Sequence, residues 1–136
     1  EPQIYEDGNQ VRDFVNIHDV VDANIAVMED QRADYEMYNV GGGAPITVNQ
    51  FASACAEVYG VKNYQPKPCG KYRFGDTRHI WSDISKLQSL GWEPQKTIYD
   101  SIIEYKEWLS TASSIDNIIE YCNKKMKELH VLRDIS

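Results

Sequence analysis

The stretch Ile4-Tyr5-Glu6-Asp7-Gly8-Asn9-Gln10-Val11-Arg12-Asp13-Phe14-Val15-Asn16-Ile17-His18-Asp19-Val20-Val21-Asp22-Ala23 decides how this chain is read. Residues 3–5 form a first short extended segment. Glu6-Asp7-Gly8-Asn9 is a turn composition. Val11, Phe14, Val15 and Ile17 are β-branched or aromatic and predict a second extended segment over 11–17. Strand alternation puts Arg12 and Phe14 on one face and Asp13 on the other. Asp19 is a good helix N-cap residue. Val20, Val21, Ala23, Asn24, Val27 and Met28 follow at helical spacing and predict a helix of about three turns, to Asp30.

Outward from this stretch, Glu36-Met37-Tyr38-Asn39-Val40 reads as a strand closed by Gly41-Gly42-Gly43. Thr47 and Gln50 have capping-box spacing, and Phe51, Ala54, Cys55 and Val58 give the following helix its apolar face. Gly60 suits its C′ position. Residues 62–80 are irregular, with one short strand at most. Asp83 is expected to cap a short helix carrying Ile84, Leu87 and Leu90, which Gly91 ends. Thr97 opens another helix with Ile98, Ile102, Tyr105, Trp108 and Leu109. A last helix is expected over about 115–129, with Ile118, Ile119, Cys122, Met126 and Leu129. The apolar residues of these C-terminal helices are either core or a docking face, and the sequence favours core. The fold class is α+β, helix-rich, with few short strands.

Composition excludes several classes. The chain has 136 residues, 42% of them apolar and 26% charged, and a net charge of −7. That length suits one domain. No run approaches the ~20 apolar residues of a membrane span, and no basic-then-apolar leader opens the chain. Three cysteines without CxxC suggest neither a disulfide framework nor a zinc site, and a reduced, cytoplasmic compartment fits them best. Acidity argues against nucleic acid as a partner. Glu1-Pro2 replaces an initiating Met, so the chain is expected to begin inside a longer protein.

Charge is uneven. Residues 1–61 hold 11 acids and 2 bases, whereas residues 62–86 hold 6 bases and 2 acids. Such a basic island is either an anion site or a solvated loop, and charge alone favours the loop.

Most catalytic patterns fail. Gly41-Gly42-Gly43 lacks both GxGxxG and the P-loop ending. Tyr121 and Lys125 share a helix face by spacing, but no dinucleotide fingerprint precedes them and the helix is rich in lysine. His18, His79 and His130 lack ligand spacing, so no metal site is expected. Cys55 lies on an apolar helix face, and Cys69 in the basic loop has the better claim to exposure. No Ser–His–Asp order is legible. No catalytic residue is assigned.

Two arginine motifs remain: Val11-Arg12-Asp13-Phe14-Val15 and Gly70-Lys71-Tyr72-Arg73-Phe74-Gly75-Asp76. A guanidinium makes paired, charge-assisted bonds to two oxygens and so clamps a diphosphate. A nearby aspartate accepts hydrogen bonds from ribose hydroxyls. Arg12 and Asp13 equally suit an ordinary salt-bridged strand.

The opening stretch resembles the extended short-chain dehydrogenase/reductase family, the NAD-dependent nucleotide-sugar epimerases and dehydratases such as the UDP-glucose 4-epimerases. Further matches follow in order: Tyr38-Asn39-Val40-Gly41-Gly42-Gly43, Gly75-Asp76-Thr77-Arg78-His79, Asp83-Ile84-Ser85-Lys86 and Leu90-Gly91-Trp92-Glu93-Pro94. The resemblance covers about residues 3–110. The phrase at 70–76 is most similar to dTDP-L-rhamnose 4-epimerases.

The resemblance implies a C-terminal nucleotide-sugar-binding domain over 1–110, normally packed on a Rossmann domain, and a helical extension over 111–136. It implies that Arg12 and Arg73 bind the diphosphate of a UDP- or dTDP-sugar, that Asp76 binds the ribose, and that Gln3-Ile4-Tyr5 lies along the base. The position of Ile80 is a tyrosine in some members, and isoleucine offers no hydroxyl. Arg78 and His79 recur in the motif without an assigned ligand role. NAD and the catalytic Tyr-x-x-x-Lys belong to the N-terminal Rossmann domain, so this chain would bind no cofactor and would be inactive alone. A homodimer is implied for the full-length enzyme. The expected function is the substrate-binding portion of an NAD-dependent nucleotide-sugar 4-epimerase. The alternatives are a dehydratase or reductase of the same superfamily, or a non-catalytic sugar-nucleotide-binding module.

Overall fold

The computed structural model describes residues 2–112 and 118–135. The described residues form α+β architecture with five α-helices and four three-residue strands. Strand β1 (Val11–Asp13) pairs antiparallel with β2 (Pro45–Thr47), Arg12 opposite Ile46. Helix α1 (Ile17–Glu29) follows β1, and helix α2 (Val48–Val58) follows β2. Strand β3 (Lys71–Arg73), helix α3 (Ser85–Gln88) and helix α4 (Ile98–Ser110) come next. Helix α5 (Ile119–Glu128) and strand β4 (Leu132–Asp134) close the chain, and β4 pairs antiparallel with β3.

Local chemistry explains the helix starts. The Thr47 hydroxyl accepts from the Gln50 N–H, and the Gln50 side chain accepts from the Thr47 N–H, so the capping box forms as expected. Thr97 and Asp100 do the same for α4. Gly60 ends α2 at φ +71°, which a side chain would resist.

Helix α1 departs from expectation. Asn16 is its cap, accepting from the His18 N–H at 2.8 Å. Asp19 sits in the first turn, 2% exposed, and its carboxylate accepts the backbone N–H groups of Gln95 (2.9 Å) and Lys96 (3.0 Å). It ties the entrance of α4 to α1. Because Asn16 starts the helix at Ile17, the extended segment expected over 11–17 is a strand only over 11–13. Residues 3–5 contribute a single parallel bridge, Ile4 to Pro68.

Residues 36–40 are not a strand, because among the described residues no neighbouring strand pairs with them. Side chains hold them instead. Lys86 Nζ lies 4.6 Å over the Tyr38 ring and bonds the Glu36 carboxylate and the Met37 carbonyl. Asn39 donates to the Asp83 carbonyl. Asp83, two residues ahead of α3, accepts from the Ser85 N–H, and the cap position is Ile84 instead of the expected Asp83.

The core is Ala23, Ile84, Leu87 and Trp92, with Val27, Tyr38, Val40 and Leu90 packed against it. Leu87 is fully buried. Phe14 stacks on Phe51 at 4.4 Å, and α2 packs along α4. In the C-terminal helices only Ile102 is buried among the described residues, while Tyr105, Trp108, Ile119 and Leu129 are exposed. The expectation that these apolar positions are core is therefore corrected for the exposed ones, while Ile98, Leu109, Cys122 and Met126 are half-buried. The last helix begins at Ile119, and the expected positions 115–117 lie outside the described residues.

Candidate functional site

Three backbone segments lie side by side. The Cys69 N–H donates to the Ile4 carbonyl and the Glu6 N–H to the Lys71 carbonyl, which sets residues 4–6 against β3. Strand β4 covers the other edge of β3, with Leu132 opposite Arg73. Beyond β3 the chain folds onto β1. The Ile80 N–H donates to the Val11 carbonyl, and the Val11 N–H donates to His79 Nδ1 at 3.3 Å.

Arg78 locks this junction. Its guanidinium bonds the Glu6 carboxylate at 2.6 Å and the Asp7 carboxylate at 2.7 Å. The Arg78 bond, with the Asn9 N–H, holds the Asp7 carboxyl far below the usual carboxylate range. Arg78 and His79 thus have structural roles that sequence reasoning left unassigned.

Arg12 and Arg73 are placed differently. Arg12 Nη1 donates to two carbonyls, those of Val11 (2.8 Å) and Arg78 (3.0 Å). The Arg73 guanidinium lies 4.7 Å over the Tyr5 ring. Neither has a carboxylate partner among the described residues, whereas Arg32 pairs with Asp30 and Arg78 with Glu6 and Asp7. Asp13 does not pair with Arg12. Its carboxylate accepts the N–H groups of Gly42 (2.8 Å) and Ser82 (3.1 Å). The salt-bridged alternative for this pair is thereby removed.

The structure brings Gln3, Tyr5 and Arg73 together. The Tyr5 hydroxyl lies 3.4 Å from both Gln3 Oε1 and Asn123 Oδ1, and Asn123 Nδ2 donates to Gln3 Oε1 at 3.2 Å. Arg12 lies apart on β1, bonded to the Arg78 carbonyl, and among the described residues it makes no hydrogen bond or ion pair with Gln3, Tyr5 or Arg73. Asp76 lies exposed in the turn after β3, where Gly75 adopts φ +90° and the Asp76 N–H donates to the Arg73 carbonyl. Its side chain bonds none of the other four. Sequence reasoning missed Asn123 and also Arg133, which stacks 3.8 Å over Phe74 and bonds the His130 carbonyl. No local signal marks either, because Asn123 meets Gln3 and Tyr5, and Arg133 meets Phe74, only where the tail folds back.

The Gly42 N–H is already taken by Asp13, and a Cβ at Gly42 would lie 1.9 Å from the Phe14 carbonyl oxygen. These glycines serve close backbone packing, and they do not fit NAD or another dinucleotide. Lys125 pairs with Glu128 and Tyr121 points to solvent. Burial pushes the Cys55 thiol up, away from nucleophilic character. Among the described residues no cluster of His, Cys, Asp or Glu is arranged to hold a metal, and no helix is long and apolar enough to cross a membrane. The arrangement can bind an anion. It offers no paired nucleophile and base.

Residues 1–41 match the model of the NAD dependent epimerase/dehydratase family. The chain is 36% identical over 108 residues to a dTDP-L-rhamnose 4-epimerase of Burkholderia thailandensis, covering 79% of this chain and 29% of that protein. Its fold matches the UDP-glucose 4-epimerase of Thermotoga maritima, solved with UDP-glucose, at a TM-score of 0.68 and 36% identity, covering 81% of this chain and 35% of that one. It also matches the UDP-glucose 4-epimerase of Bifidobacterium longum, solved with NAD+ and UDP, at a TM-score of 0.65 and 30% identity, over 81% and 35%. The chain therefore spans about a third of the length of the relatives it matches.

Proposed function

This chain belongs to the NAD-dependent epimerase/dehydratase family, whose cofactor is NAD, and on that premise we propose that it grips the nucleoside diphosphate part of a nucleotide-sugar for a 4-epimerase. The observation that carries this reading is the pair Arg12 and Arg73. Both guanidiniums are held by backbone or ring contacts and, among the described residues, left without carboxylate partners. A cation that is positioned but not neutralised keeps its full attraction for an incoming anion. Arg12 and Arg73 bind the diphosphate, Asp76 accepts from the ribose, and Gln3 and Tyr5 line the base. Contacts of this kind orient a substrate, and orientation is a large share of catalysis. NAD supplies the hydride chemistry of the family, and this chain's glycines do not fit it, so no reaction step is drawn through these residues.

A second observation favours a part of a larger enzyme over a stand-alone binding module. Ile17, Val21, Ile25 and Met28 line one side of α1, and all are exposed, Met28 at 83%. Such a stripe on a short chain suits a packing surface. We read it as the face toward a Rossmann domain, which matches the greater length of the relatives.

Calorimetric titration of the 136-residue chain with UDP tests the site. Arg12→Ala and Arg73→Ala should each weaken binding by about 1.5–3 kcal/mol, the range for hydrogen bonds to charged groups. Unchanged affinity in both variants would end the diphosphate reading.

A further inference from the structure

The C-terminal tail lies beyond the stretch that resembles the family, yet it packs directly on the proposed nucleotide site. Helix α5 and strand β4 approach it from one side. Strand β4 extends β3, Lys71 pairs with Asp134, and the Phe74 N–H donates to the Val131 carbonyl at 2.7 Å. Between Gln3 and α5 runs an open cleft of about 500 Å³, lined also by Ile119, Asn123 and Lys124. Ligand pockets commonly measure about 300–1,000 Å³.

The polar groups at this cleft are oriented. The Tyr5 hydroxyl donates toward both Gln3 Oε1 and Asn123 Oδ1, and Gln3 Oε1 also accepts from Asn123 Nδ2. Both amide oxygens are therefore engaged, which fixes how the amides face. The Gln3 NH₂ group and one N–H of Asn123 have no acceptor among the described residues. An amide NH₂ carries two donors, so the cleft presents surplus donors and suits an acceptor-rich ligand edge. Tyr5 links this pair to Arg73, whose guanidinium stacks on its ring. A diphosphate at Arg73 would thus place its base within one tyrosine's length of the amides.

We infer that the tail completes the base subsite and that Asn123 is a specificity-determining residue, donating with Gln3 to the carbonyl oxygens of a uracil or thymine base. This rests on the diphosphate reading of Arg12 and Arg73. A pyrimidine dione offers two carbonyl acceptors on its polar edge. Cytosine replaces one of them with an amino donor, which would meet the amide donors head-on. The cleft accordingly prefers UDP to CDP.

The test uses the full 136-residue chain, ¹⁵N-labelled and titrated with UDP, CDP and inorganic pyrophosphate. UDP should shift the side-chain amide resonances of Asn123 and Gln3, and pyrophosphate should leave them in place. Asn123→Ala should weaken UDP binding about three- to tenfold, as loss of one neutral hydrogen bond does, and narrow the gap between UDP and CDP. Asn123→Leu, which keeps about the same size and adds no charge but removes the donor, should do the same, and pyrophosphate affinity should be unchanged in both. Equal loss of UDP and pyrophosphate would make Asn123 a mere prop for Tyr5 and Arg73 and overturn the inference. So would unchanged UDP affinity in a chain whose Arg73→Ala variant binds UDP more weakly. Arg73→Ala without effect on any ligand would instead remove the diphosphate reading, and the base subsite with it.

Discussion

Removing the Asp19 carboxylate should destabilise the fold far more than its place near a helix start suggests. A helix cap replaced by alanine loses about 0.5–2 kcal/mol. Asp19 is not the cap. It is 2% exposed and accepts two backbone N–H groups at 2.9 and 3.0 Å. Hydrogen bonds to charged groups contribute about 1.5–3 kcal/mol each. Two of them bound the loss at about 3–6 kcal/mol. Gln95 and Lys96 are themselves exposed, so water can reach part of the freed backbone, and the lower end applies.

Asp19→Ala should therefore lose about 3 kcal/mol, a large share of the ~5–15 kcal/mol that holds a domain together. Asp19→Asn keeps the shape but turns an NH₂ toward one of the two donors, so about half of that loss is expected. Urea unfolding followed by tryptophan fluorescence measures both, since Trp92 sits in the core. With an m value near ~1.5 kcal/mol/M, the alanine variant should unfold at a urea concentration lower by about 2 M. Asn16→Ser retains a capping oxygen and gives a control for the helix start. An Asp19→Ala loss below about 1 kcal/mol would refute the clamp and return Asp19 to an ordinary helix position.

Gly42→Ala should prevent native folding, because the added Cβ would lie 1.9 Å from the Phe14 carbonyl oxygen; the readout is soluble yield and circular dichroism, and a native-like variant would contradict the close approach. Acid should loosen the loop before the core. The carboxyls of Asp7 and Asp134 lie below the ordinary aspartate value of 3.8 because of hydrogen bonds from Arg78 and Lys71. A depressed carboxyl stabilises the fold above its unfolded value, and that contribution fades as pH falls toward the folded one. Amide exchange at Phe74 and Ile135 should accordingly speed up relative to α2 as pH drops below 3.8, after correction for intrinsic rates, and parallel behaviour would argue against the latch.

The legible parts of this fold are those set by a few neighbouring residues. Thr47 with Gln50 and Thr97 with Asp100 announce their helices because every atom of a capping box lies within one turn. Glu36–Val40 misled because its composition is extended, while a strand also needs a partner edge that no local pattern reveals. Asp19 misled for the same reason in reverse. Asn16 offers the same capping chemistry three residues earlier, and the use of Asp19 is settled by Gln95 and Lys96, far along the chain. Strand β4 was invisible because three residues pairing with β3 leave no periodicity to read.

The candidate site shows the same division between residue type and partner. The basic island of residues 62–86 marked a region, and its motif contains both Arg73 and Arg78. Nothing local separates the two. The fold separates them by neutralisation. Glu6 and Asp7 take Arg78, Asp134 takes Lys71, and Glu36 takes Lys86. Three of the six bases are thus spent on holding loops. Arg73 is given an aromatic face in place of a carboxylate, which fixes the guanidinium without cancelling its charge. The same distinction holds on β1, where Asp13 turns away to bind Gly42 and Ser82 and leaves Arg12, among the described residues, on carbonyls. The proposed anion site therefore rests less on accumulating bases than on withholding the acids of the described residues from two of them. The acids withheld are Asp13, adjacent in sequence to Arg12, and Glu6 and Asp7, the two residues that follow the Tyr5 on which Arg73 rests.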